Sequence, residues 1–347
     1  MKRFASGTFR GWDYLPQAWP RWLEPSDGIM LVGTPGAADG ASRPVDADGV
    51  PLDEDIPVAV VRVALPAWGE AWLEAIRVDP RVRGLDVATD LQVAELHWAA
   101  AQGASVVRYA TGRRNEASHR LGRRGGFETL VSLESHWWSA TGDPDADDGG
   151  PSGFLPEVEA AAAAKRDLLL AALAAESIVA PRDTGARMWR RLAADPGVAA
   201  AHRLYEPRPW AFEEISEAKF GRHVQRGEVL LLDDSGGWAL AILVRRPQPA
   251  EDSAFRFALL AGDGRAALEL IEHARRLAGE TIRFRVAVDA PLFADNEQAF
   301  REAGYVSREW ALDILSRQID AAHPIPPIDP AAVVIADSPE PILRPPD

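Results

Sequence analysis

The chain has 347 residues, about twice a typical domain, so two cores are the starting expectation and one large core the alternative. It contains no cysteine, which removes disulfides, thiolate nucleophiles and thiolate-bound metal together. A formal charge of -14 at pH 7 repels phosphate backbones and anionic lipid and attracts amines, so nucleic acid is not an expected partner.

No apolar run reaches the roughly 18 residues of a membrane span, and Met1-Lys2-Arg3-Phe4 lacks the apolar core of a signal peptide. A soluble, cytoplasmic protein is the expectation. After an aromatic segment from Phe9 to Leu23, Ile29 to Val32 and Pro57 to Leu65 read as strands around a loop rich in Gly, Asp, Ala and Pro. Ala71 to Val78 is a third strand. Val87 to Gln102 carries Leu91, Ala94, Leu96 and Trp98 at helical spacing and stops at Gly103. Val106 to Ala110 is strand-like, Glu116 to Arg123 a short helix, and Phe127 to Ser135 a strand. The acidic, glycine-rich stretch 141–153 is the best domain boundary. Beyond it Val158 to Ala175 reads as an alanine-rich helix.

The second half repeats this order. Glu228 to Leu232, Trp238 to Arg246 and Ala254 to Leu260 read as strands, Ala266 to Ala278 as a helix and Thr281 to Val288 as a strand. A helix at Glu297 to Ala303 and a strand at Tyr305 to Leu315 close the order. Asn296 and the pair Gly304-Tyr305 echo Asn115 and Gly126-Phe127, so an internal duplication is the economical account. From His323 onward the chain is rich in Pro with few large apolar residues, the composition of a disordered tail.

Val78, Pro80, Arg83, Gly84, Leu85, Asp86, Val87 and Ala88, followed by Asn115, Ala117, Leu121, Gly126 and Phe127, resemble the two motifs of the GNAT superfamily of acetyl-CoA-dependent N-acetyltransferases. A better-preserved first copy beside a degenerate second resembles its tandem members. The likeness is specific over roughly 28–138 and weaker over about 200–316. It implies two α/β domains, each a mixed, mostly antiparallel sheet flanked by helices. Their expected bounds are 1–140 and 154–320, with a linker at 141–153 and a Pro-rich tail at 321–347. The first domain is expected to lack the family's first strand or the chain to begin late.

The implied chemistry is transfer of an acetyl or acyl group from acetyl-CoA, the co-substrate, to a small-molecule or peptide amine. Backbone N–H groups at a helix start bind anions such as the pyrophosphate, and small residues let the backbone come close. The resemblance places Ala75, Ile76 and Val78 along the pantetheine arm and Arg83, Gly84, Leu85, Asp86, Val87 and Ala88 at the pyrophosphate, with Asn115 beyond. An amine must lose a proton, and Glu74 is the candidate base. Glu70 shares its strand parity, so the two carboxylates are expected to face one side and raise each other's pKa.

Two positions depart from the family. Asp86 replaces a helix-start glycine and sets a carboxylate near the expected pyrophosphate, unless it caps the helix or Arg81 and Arg83 offset it. Gly122 stands where active members commonly have a tyrosine that protonates the leaving thiolate, leaving Tyr109, Ser118 or His119 as replacements. Plainer readings stand beside these: an ordinary turn with Asp86 as N-cap, Glu74 as a solvent-facing strand carboxylate, and Asn115 as a helix cap. Trp68, Trp72, Trp137 and Trp138 read as packing rather than a substrate cage. His97 and His119 lack metal-ligand spacing, and no metal site is assigned. Gly262, Gly264, Ala267 and Asp289 mimic a dinucleotide fingerprint, but a meander precedes them and too few parallel units follow. The alternative function is a non-catalytic GNAT-like module that binds a ligand or a protein.

Overall fold

The structure, a computed structural model, describes residues 15–23, 27–35, 45–46, 48–53, 56–138, 167–168, 170–176, 179–208, 211–234, 237–246, 254–281, 286–290, 304–307 and 311–328. The expected linker at 141–153 and the helix at 297–303 lie outside them. So does the helix from Val158, as far as residue 166.

The first elements in chain order are α1 (Leu15–Trp22), β1 (Gly28–Gly33), β2 (Ala59–Ala67), β3 (Glu70–Val78), α2 (Val87–Ala101), β4 (Val106–Gly112), α3 (Glu116–Arg124) and β5 (Glu128–Trp138). Then come α4 (Gly185–Ala193), α5 (Pro196–Ala200), β6 (Leu204–Arg208), β7 (Ala211–Glu214), α6 (Glu217–Gln225), β8 (Val229–Asp234) and β9 (Gly237–Arg246). Last are β10 (Ala254–Gly262), α7 (Gly264–Thr281), β11 (Val286–Ala290), β12 (Val306–Ser307) and β13 (Leu312–Gln318). Two compact units result, Met1–Thr129 with Ile314–Asp347, and Leu130–Asp313. The first is therefore built from two separate stretches of chain.

In the first unit β1, β2 and β3 form an antiparallel meander. Its β-branched and apolar residues suit a pleated, buried surface. From the end of β3, α2 crosses over to β4, which pairs parallel with β3, as such a crossover permits. One face of α2 buries Leu96, Trp98 and Ala99 against Val63, Leu65, Ala71, Leu73 and Val107. The other neighbour of β4 is β13, from the far end of the chain. Leu315 of β13 joins Tyr109 and Phe127 in that same core.

The segment after β13 is also held on this unit. Arg317 donates to the carbonyl of Gly125 and, at 2.8 Å, to that of Pro324. His97 Nε2 lies 2.7 Å from the carbonyl oxygen of Pro326, and Ile319 and Ile325 pack on the core. Residues 323–328 are thus ordered, where composition alone pointed to a disordered tail. A guanidinium satisfying backbone carbonyls and partly buried isoleucines account for the difference.

The second unit repeats the topology. Strands β8, β9 and β10 form an antiparallel meander, α7 crosses over, and β10 pairs parallel with β11. Helix α7 buries Leu270, Ile271 and Ala274 against Ala239, Ala241, Leu243 and Phe257. The other neighbour of β11 is β5, antiparallel. The echo of Gly126-Phe127 in Gly304-Tyr305 holds in geometry: Gly126 has φ 76° and Gly304 φ 81°, and Phe127 and Tyr305 are both buried.

Leu315 is sealed in a core whose other members lie about two hundred residues earlier. Leu315→Ala is expected to lower the stability of the first unit by about 2–5 kcal/mol. Urea melts with hydrogen exchange of residues 59–127 check it: unchanged protection there would separate β13 from that core.

Candidate functional site

The parallel contact between β3 and β4 is short. It runs from Glu70, opposite Val106, to Trp72, opposite Arg108, and then ends. Strand β3 continues for six more residues paired only to β2. Just past the fork, the β2–β3 register shifts between Val60 and Arg62, where Ala75 takes φ 66°. An extra residue at this bulge bends and twists β3 locally. Ala75 itself is buried. Ile76 and Val78 pack with Ala59, Val61 and Leu91.

Asp79 receives the N–H of Arg81 at 2.9 Å and its guanidinium at 2.8 Å, anchoring the turn Pro80–Val82. Arg81 is therefore spent on Asp79. Arg83, Gly84, Leu85 and Asp86 then form an exposed loop, with Gly84 at φ 84° and Asp86 at φ 57°. Among the described residues no acceptor receives the amides of Gly84, Asp86, Val87 or Ala88. A Cβ at Gly84 would meet no atom within 4 Å. The start of α2 thus carries unspent donors and the positive end of a helix dipole.

Asp86 does not cap α2 with its side chain. Its carboxylate pairs at 3.2 Å with Arg124, at the end of α3, both side chains being largely exposed. The neutralising cation comes from α3 rather than from Arg81 or Arg83. Burial, then the charge of Asp86, raises the pKa of Asp90 in the first turn. Asn115 stands at the opposite end of α3, where its Oδ1 accepts the N–H of Ser118 at 3.2 Å. It caps the helix.

Glu70, Trp72 and Glu74 share one face of β3 by alternation, opposite the face that holds Ala71 and Leu73 under α2. Glu74 pairs with Arg62, which also binds Asp27. The Arg62 side chain is only 2% exposed, and the Trp22 ring lies 5.1 Å from its guanidinium carbon. Arg108 donates through Nη1 to Glu70 at 2.8 Å. Each carboxylate expected to perturb the other therefore has an arginine of its own. Sequence reasoning missed both arginines, although each interrupts an apolar strand run, Val60-Val61-Arg62-Val63 and Val106-Val107-Arg108-Tyr109.

A Cβ on Gly122 would overlap the Tyr109 hydroxyl and stand 3.0 Å from Leu315 Cδ2. That hydroxyl donates to the Ser118 carbonyl at 3.0 Å, and burial pushes its pKa up to about 12. Of the three replacements weighed for position 122, Tyr109 is the one whose side chain fills the space. Nearby, burial holds the Glu95 carboxyl well above its usual range. Gly122→Ala is expected to cost about 1–3 kcal/mol by crowding. Adding Tyr109→Phe leaves the ring carbon as the near ring atom, 3.2 Å from the new Cβ. The double variant should then be more stable than the two single losses predict. Denaturant midpoints for the four chains check it, and simple additivity would rule out the overlap.

The second unit has the same short parallel contact, Phe255–Phe257 with Val286–Val288, but its loop is held by two aspartates. The Gly262 amide donates to Asp195 at 2.9 Å, and Asp263 accepts the Trp238 amide at 3.0 Å. Gly262 has φ 110°, and a Cβ there would overlap the Trp238 carbonyl oxygen. Close approach to β9 explains this glycine. Only β10 and β11 run parallel among β8 to β11, unlike the successive parallel units of a dinucleotide fold.

No family model matches the chain, and no curated protein matches it. Among solved structures it is similar to a GCN5-related N-acetyltransferase from Sphaerobacter thermophilus, at 13% identity over 95% of this chain and 93% of that one, TM-score 0.47. It is similar to another from Kribbella flavida, at 14% identity over 78% and 60%, TM-score 0.36. A tandem GNAT protein from the clavulanic acid biosynthesis pathway aligns at 10% identity over 77% and 80%, TM-score 0.39. What this chain itself displays, twice, is a mixed, mostly antiparallel sheet flanked by helices.

Proposed function

We propose that the first unit transfers an acyl group from acetyl-CoA to an amine. The observation that carries this reading is the fork between β3 and β4 beside a helix start with unspent amides. Arg83, Gly84, Leu85, Asp86, Val87 and Ala88 would hold the pyrophosphate, and Ala75, Ile76 and Val78 would line the pantetheine arm. The backbone of β3 past Trp72 lacks a β4 partner, so main-chain groups on that edge, the Ile76 carbonyl that accepts from Arg77 at 2.9 Å excepted, are available to the amides of that arm.

In the reaction the amine nitrogen bonds to the thioester carbon and the C–S bond breaks, its electron pair going to sulfur. Glu74 takes one proton from the nitrogen, and that proton passes through water to the thiolate, giving amide and thiol. Before it can do so, Glu74 must loosen from Arg62, so the arginine restrains the base in the resting site. The aspartate-held loop of the second unit supports assigning acetyl-CoA to the first unit alone.

Calorimetry with acetyl-CoA, followed by thiol release with an amine panel, tests the proposal. Glu74→Gln should leave binding intact and lower turnover about 10²-fold or more. No heat and no thermal shift at millimolar acetyl-CoA would remove the enzyme.

A second reading, a binding module that no longer turns CoA over, is favoured by one observation. Asp86 occupies the helix start in a left-handed conformation. Asp86→Gly separates the two. A small affinity change with turnover in the parent chain supports transfer, whereas a gain of a hundredfold over an inert parent supports the module.

A further inference from the structure

Two arginines lie on the face of the sheet that carries Glu70 and Glu74, and they differ in what remains to them. Arg62 spends Nη1 on Glu74 and Nη2 on Asp27, with the Trp22 ring nearby, so that only its buried Nε is left without a partner. Arg108 has one hydrogen bond, from Nη1 to Glu70 at 2.8 Å. Its Nε is buried and unpartnered, and the side chain is 10% exposed. Among the described residues nothing accepts from the Nε–Nη2 edge, which presents two parallel N–H vectors.

A buried, unpartnered donor on a charged group is costly, and a carboxylate fits such an edge with two parallel bonds. Arg108 is also the last residue of β4 paired to β3, opposite Trp72. Glu74 lies one step further along the same face of β3, on the arm that continues past the fork. Diagonal neighbours of this kind stand about 7–8 Å apart at the backbone. Their side chains can converge on one small molecule.

We infer that the acceptor is a zwitterion, its carboxylate seated on the Nε–Nη2 edge of Arg108 and its neighbouring amine beside Glu74. This rests on the acyl-transfer reading for the amine's fate, but not for the ligand's recognition. The charge of -14 draws in amines of every kind, and Arg108 then selects those that carry an anionic group. Glu70 on Nη1 keeps the guanidinium in place and leaves its other edge without an acceptor.

The full chain is titrated by calorimetry and thermal shift with matched pairs that differ only by the carboxylate: histidine and histamine, tyrosine and tyramine, ornithine and putrescine. Thiol release from acetyl-CoA is read in parallel. For at least one pair the carboxylated member should bind about tenfold more tightly or better, the value of a charge-assisted bond. The double exchange Glu70→Gln with Arg108→Gln, which keeps the pair neutral, should bring the two members to parity. Arg108→Lys should retain part of the preference.

Equal or weaker binding of every carboxylated member overturns the inference. So does a preference that survives the double exchange, or no binding of any pair at millimolar concentration. Thiol release with equal efficiency for both members keeps acyl transfer and removes the zwitterion. Carboxylate preference that depends on Arg108, without thiol release, keeps the zwitterion and removes acyl transfer.

Discussion

Strands β3 and β4 touch over three residue pairs and then part, and the proposed binding site depends on this break. In a closed sheet each backbone N–H and C=O beyond Trp72 would have a cross-strand partner. Here the bulge at Ala75 turns β3, and the residues that follow pair with β2 and not with β4. The same strand then feeds, within a few residues, a helix whose first amides are unspent. The bulge, the unpaired edge and the helix start with unspent amides therefore follow one another along a short stretch of chain. The second unit opens its sheet in the same way and then holds the loop with Asp195 and Asp263. The topology is duplicated, but among the described residues the two aspartates that bond this loop have no counterpart in the first unit.

The two faces of the first sheet have different chemistry. Under α2 the contacts are apolar, through Ala71, Leu73, Leu96 and Trp98. On the opposite face, carboxylates from β3 meet arginines from the strands on either side. Removing one member of a buried pair leaves an uncompensated charge, so such pairs hold one another's geometry. Glu74 combines two demands on one carboxylate: it restrains Arg62, and in the proposed reaction it must release it.

Much of the fold could be read from periodicity, because β2, β3, α2 and β4 carry local signals and their order repeats in β9, β10, α7 and β11. The loop from Arg83 to Ala88 was legible for the same reason: glycine and small residues between a strand and a helix are a local pattern. What could not be read depends on distance in the chain. The pairing of Arg62 with Glu74 requires a register that includes a bulge, and the partner of Asp86 sits on another helix. Gly122 reads as a missing side chain, and only the three-dimensional arrangement shows the Tyr109 hydroxyl in its place. The ordered segment at 323–328 escaped because its anchor, Arg317, reaches carbonyls, which composition does not register.

Strand β13, the last among the described residues, completes the sheet of the first unit, and this sets a timetable for biosynthesis. While a ribosome is still translating the second repeat, the nascent first repeat lacks the neighbour that covers the outer edge of β4. That edge then carries unsatisfied main-chain groups beside an apolar core lacking Leu315, a surface prone to strand-on-strand aggregation. Chaperone demand should therefore peak late in elongation and fall only when residues 312–328 emerge from the exit tunnel.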